Sequence, residues 1–102
     1  MAASVEHCRG PAPSMSEIEA RMRSGGLDPR SWGNGPGDRY GWHDHTYHKV
    51  LYCVEGSIVF HTPDGDLGLA PGDRLDLPPG IEHAATVGDR GCRCVEAPAA
   101  ST

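Results

Sequence analysis

No stretch of this 102-residue chain approaches the roughly 20 consecutive apolar residues that a membrane-spanning helix needs. Met1 to Gly10 also lack the apolar core of a signal peptide, so no membrane partner is expected and the expected location is cytoplasmic. Basic residues are few and scattered: 9 Lys and Arg stand against 14 Asp and Glu, a formal net charge of −5. A surface that neutralises a phosphate backbone is therefore missing, which excludes nucleic acid as a partner. There is no internal repeat, which excludes a solenoid. The length leaves no room for a second domain, since a chain of this size forms one core and hides roughly two-thirds of its unfolded surface. Cys8, Cys53, Cys92 and Cys94 have no secretory context, and they read as thiols in a reducing compartment.

What the chain does have is punctuation. Its 14 Gly and 9 Pro separate short apolar runs, the pattern of an all-β domain rather than a helical one. Val50 to Val54 ends at Glu55-Gly56, and Ile58 to Thr62 ends at Pro63-Asp64-Gly65. Leu67 to Ala70 ends at Pro71-Gly72-Asp73, Leu75 to Leu77 at Pro78-Pro79-Gly80, His83 to Val87 at Gly88, and Cys92 to Glu96 closes the set. Turns at intervals of about 8 to 12 residues indicate a sandwich or closed barrel. Residues 1–14, rich in Ala, Pro and Ser and without a hydrophobic period, read as a flexible tail ahead of a domain over 15–102. The pattern Ser16-x-x-Glu19 reads as a capping box for a short helix, with Ile18 and Met22 on its apolar stripe and Gly25-Gly26 ending it.

The chemistry concentrates between Gly37 and Gly56. His43 and His45 are separated by one residue, and on an extended strand alternate side chains share a face, so two imidazoles can meet one ion. His83, just after the Pro78-Pro79-Gly80 turn, joins them if its strand is a neighbour. His48 is a further candidate ligand, but it adjoins Lys49 and faces the other way if Lys49 points inward; only a bulge would bring it in. Cys92-x-Cys94 places two thiols on one strand face, where a structural role is expected over a metal or redox one. Trp42, Tyr47, Tyr52 and Phe60 read as core or dimer contacts.

These residues resemble the two signatures of the cupin superfamily. The first runs Gly, five residues, His-x-His, three or four residues, Glu, six residues, Gly. Here Gly37, His43, His45, Lys49 and Gly56 occupy those places. The second runs Gly, five residues, Pro-x-Gly, two residues, His, three residues, Asn, matched by Gly72, Pro78, Gly80, His83 and Val87. The motifs cover about half the chain, and the short gap between them resembles compact bacterial single-domain cupins.

The resemblance implies an all-β cupin double-stranded β-helix, a jelly-roll barrel with a short N-terminal helix. It implies one divalent transition metal ion (iron, manganese, nickel, copper or zinc) on His43, His45 and His83. Lys49 stands where the family usually has a glutamate ligand. A protonated lysine is repelled by a cation, so either its pKa falls or its head swings away. Lys49 is the candidate catalytic residue, as proton donor or anion clamp, against a solvated lysine whose stem packs at the barrel mouth. Three histidines without a carboxylate resemble the superfamily's non-haem iron dioxygenases. The expected function is a metal-dependent enzyme of dioxygenase, isomerase or lyase type on a small anionic or chelating molecule; the alternative is a non-catalytic binding module. The expected partners are a small-molecule ligand and a second copy in a homodimer.

Overall fold

A computed structural model describes residues 2–99. Residues 100–102, the end of the domain expected over 15–102, lie outside the described residues, as does Met1. The elements in chain order are β1 (Ser4–Glu6), α1 (Met15–Ser24), β2 (Arg30–Asn34), β3 (Arg39–His43) and β4 (His48–Thr62), then β5 (Gly65–Leu69), β6 (Arg74–Leu77) and β7 (His83–Ala99). All seven strands belong to one antiparallel sheet, ordered β1-β6-β4-β7-β2, with β5 added to β4 and β3 to β7.

Two long strands organise the jelly roll. The runs read from sequence as four strands are two, because β4 passes through Glu55-Gly56 and β7 through Gly88 without a chain reversal. Both bend there. The β4–β7 ladder shifts register between Cys53 and Glu55 and again between Gly56 and Ile58. These irregularities change which side chains face inward, from Lys49, Leu51 and Cys53 to Ile58 and Phe60 on β4. Gly56 and Gly91 supply the corner, with φ of 71° and 77°. A Cβ on Gly56 would overlap the Gly91 carbonyl oxygen, so only glycine fits this close crossing of backbones.

The bend turns one ladder into two facing layers. The first half of β4 and the second half of β7 carry β6, β1 and β2 on their flanks; the other halves carry β5 and β3. Between them lies a core that includes Leu51, Ile58, Phe60, Leu75, Leu77 and Val87, all buried. The closed barrel expected from the turn spacing is not completed among the described residues, since β1 and β2 do not pair with each other.

A second cluster covers the outer face of the first layer. Ile18 and Met22 of α1 pack on Val50, Tyr52, Val54, Val95 and Ala97, so the first half of β4 is buried on both faces. Removing those two helix side chains from water contributes about 2 kcal/mol each. The cap lies two residues earlier than expected. Ser14, not Ser16, is the N-cap, accepting from the Glu17 amide at 3.2 Å while the Glu17 carboxylate accepts from the Ser14 amide at 3.0 Å. Gly25 ends the helix as expected.

The N-terminal segment also differs from the loose tail expected over residues 1–14. β1 pairs with β6, and Ala3 and Val5 pack against the core. The buried Asp73 carboxylate accepts from the Cys8 amide at 2.7 Å, the Ala70 amide at 2.9 Å and His7 Nδ1 at 3.0 Å. Backbone groups of the arm thereby find partners on the body of the domain.

Candidate metal centre

β3 and β7 bring the first and third histidines together directly, because His43 and His83 are paired in the β3–β7 ladder. His45 follows two residues after His43, in the loop that connects to β4. One ring nitrogen from each of His43, His45 and His83 lies within 4.8 Å of the others. The ring centroids are 4.3 to 5.1 Å apart. The cluster runs from exposed His43 to His83, which is only 2% exposed, so it faces both solvent and the interior.

Hydrogen bonds fix the tautomers of two rings. His43 Nδ1 donates to the Gly41 carbonyl at 2.7 Å, and His83 Nδ1 donates to the Ile81 carbonyl at 2.9 Å. A carbonyl only accepts, so each Nδ1 carries the proton and each Nε2 keeps a lone pair. This is the arrangement in which a backbone carbonyl orients a metal-binding imidazole. His45 Nε2 is buried and has no partner among the protein groups. Burial pushes the His45 ring below the ordinary histidine range, helped by Lys49, His83 and His43 and partly offset by Glu96. His83 is likewise lowered by burial, with the charges of His43 and Lys49 adding to it against the Ile81 hydrogen bond and Asp44. Rings oriented through Nδ1 and an orphaned buried nitrogen are what a divalent transition ion requires of three histidines.

Lys49 points inward, as alternation along β4 requires, and is 8% exposed. Its head swings to Glu96, with Nζ 3.2 Å from Oε2. The other carboxylate oxygen, Oε1, accepts from Trp32 Nε1 at 2.7 Å. His48 does not join the cluster. The ladder from Lys49 to Tyr52 is regular, so no bulge turns His48 inward, and its Nε2 sits 2.9 Å from Asp76 Oδ1 on the other face. It is withdrawn as a ligand.

Glu96 and Trp32 were not singled out from sequence. The signal was there for Glu96: the alternation that puts Cys92 and Cys94 on one face of β7 puts Glu96 on it too. Leu51 is its partner across the ladder, and Lys49 is the next inward residue on that strand. Together with His43, His83, Phe60 and Leu51, these groups wall a cavity of about 240 Å³. Of the aromatics expected in the core or at a dimer contact, Phe60 and Tyr52 are buried, whereas Trp42 is 58% exposed beside His43 and Tyr47 stacks on His45 with centroids 4.9 Å apart.

A jelly roll with paired Gly and His signatures and a cluster of three histidines defines a cupin domain. Within that class, the chain belongs to the family of AraC-like ligand-binding domains, whose pattern matches residues 26–95 and so takes in all three histidines. Among solved structures, one of the DMSP lyases RdDddP and RnDddQII is 31% identical, with a TM-score of 0.64, over 74% of this chain and 40% of that one. The polyketide cyclase RemF from Streptomyces resistomycificus is 25% identical, TM-score 0.63, over 71% and 54%. An RmlC-like cupin from Shewanella frigidimarina NCIMB 400 is 25% identical, TM-score 0.62, over 72% and 67%. The chain thus spans about half or less of the lyase and the cyclase. No curated protein sequence matches it. Among the described residues no helix is long and apolar enough to cross a membrane.

Proposed function

We propose that this small cupin is a metal-dependent enzyme acting on a small anionic or chelating molecule, with His43, His45 and His83 holding one divalent transition ion. The observation that carries this reading is the convergence of three ring nitrogens within 4.8 Å, one of them buried without any protein partner. When bound, the ion supplies Lewis acidity or, if it is iron, oxygen chemistry. The remaining work falls to the chain's own side chains. His83 and Phe60, both buried, line the cavity, and Lys49, 3.2 Å from Glu96, orients that carboxylate in its wall. Lyase chemistry draws support from the 31% identical DMSP lyase, and dioxygenase chemistry from the carboxylate-free histidine set.

A second reading, a binding module without turnover, is favoured by the membership in a ligand-binding family. The two are separated by titrating cobalt into metal-free protein and then following loss of candidate carboxylic and enolic substrates by NMR, with oxygen uptake measured on the ferrous form. The enzyme reading expects cobalt absorption bands that vanish in His83→Ala and at least one substrate consumed. Cobalt bands with ligand binding and no consumption across the panel would favour the binding module. No metal-dependent absorption at all would overturn both metal readings.

A further inference from the structure

The signature glutamate that Lys49 replaces has a counterpart on another strand. Glu96 is the one acidic side chain among the residues that line the cavity, and it faces the same space as His43 and His83. Its two oxygens are held by different donors, the indole N–H of Trp32 at 2.7 Å and the ammonium of Lys49 at 3.2 Å. Both partners are themselves part of the wall, so the group is oriented before any ligand arrives. Each oxygen retains a second lone pair.

The rest of the lining narrows what that lone pair meets. Leu51, Phe60 and Ala85 offer no hydrogen bond, and the Tyr40 hydroxyl is committed to Asn34 Oδ1. Lys49 is neutralised by Glu96 and is not a free clamp for a second negative group. A ligand whose only polar group is an anion directed at the histidines would leave the remaining lone pairs of the Glu96 oxygens, already held by Trp32 and Lys49, without a ligand donor. A ligand that also carries a hydroxyl or amine would supply one.

We infer that Glu96 is the specificity-determining residue of this cavity, selecting small acids that bear a hydrogen-bond donor, a hydroxyl or amine, in addition to their metal-binding oxygens. This rests on the metal reading above. Lys49 and Trp32 are then positioning residues that act through Glu96.

The test uses the full chain loaded with cobalt, titrated with benzoate, 3-hydroxybenzoate and 4-hydroxybenzoate and followed by the cobalt absorption. Binding of at least one hydroxybenzoate about tenfold or more tighter than benzoate is expected, because a donor to a charged acceptor is lost in the plain acid. In Glu96→Gln the preference should fall below about threefold, chiefly because benzoate binds better once the like charge is gone. Cobalt content should stay near that of the unaltered protein, while the thermal midpoint falls because buried Lys49 loses its ion-pair partner. No preference in the unaltered protein, or the same preference in Glu96→Gln, would overturn the inference while leaving the metal site standing. Failure to take up cobalt would overturn the metal reading, and this inference with it.

Discussion

The interior of the jelly roll has two ends, and they treat their polar atoms in opposite ways. At the closed end, beside the Gly56 and Gly91 corner, Cys53, Cys92 and Cys94 are all buried, and the Cys53 and Cys94 thiols stand opposite each other across the β4–β7 ladder. Their hydrogen bonds are spent on one another and on carbonyls, Cys53 Sγ reaching the Glu55 oxygen at 3.5 Å. The bond to Cys53 and burial push the Cys94 thiol far above the ordinary range, and burial raises Cys92, so both stay neutral and inert. At the open end three imidazoles leave nitrogen lone pairs uncommitted, and a carboxylate is held ready by two donors. Satisfied polar groups mark the end that packs. Unsatisfied ones mark the end proposed to bind.

Substitutions that act on one end alone can break this division. The largest effect is expected from Gly56→Val, whose side chain would collide with the Gly91 carbonyl at a φ that β-branched residues avoid. A loss of about 4 kcal/mol or more in urea unfolding is expected, enough to unfold much of the population of a domain this small. Cys94→Ala removes a fully buried sulfur and should cost about 2 kcal/mol while leaving metal uptake intact. Loss of metal from Cys94→Ala would join the two ends into one cooperative unit.

Asp73→Ala strands the amides of Cys8 and Ala70 and is expected to cost about 2 kcal/mol. It should also change the acid response. Burial alone would raise the Asp73 carboxyl, but the Ala70 and Cys8 amides and His7 outweigh it and hold it below the usual 3.8. Asp76 is held down in the same way by Arg74 and His48. A carboxyl lowered on folding stabilises above its unfolded value, and that contribution is lost as pH falls from 3.8 through the folded value. Melting temperature should therefore drop below about pH 4, with a shallower drop in Asp73→Ala. Equal slopes would show that the N-terminal arm is not held through this carboxylate. Ser14→Ala should cost about 1 kcal/mol through the helix cap. The smallest effect on stability is expected from His45→Ala without metal, below about 0.5 kcal/mol, because it deletes a nitrogen that has no protein partner.

Spacing carried the histidine cluster into view, because the two signatures fix which side chains share a face and where turns must fall. It also put Ile18 and Met22 on the buried stripe of α1. Ser16 was the wrong cap for a concrete reason: Ser16-x-x-Glu19 has the same form as the Ser14-x-x-Glu17 box that the helix uses, in which Met15 and Ile18 pack against the sheet. Gly56 and Gly88 looked like turns because a glycine that bends a continuous strand has the same local chemistry as one that ends it. β1 was invisible for want of periodicity, since its three residues are held by register with β6 and not by their own pattern. Alternation with Cys92 and Cys94 puts Glu96 on the inward face, but its place beside Lys49 required the pairing of β4 with β7, a long-range fact that no local spacing records.

Elemental analysis of the untagged protein beside His45→Ala tests the central claim most directly. Near one equivalent of a single transition metal in the unaltered protein, absent from His45→Ala at similar melting temperature, is the predicted result. No metal in either protein after reconstitution, or the same content in both, would contradict a three-histidine centre.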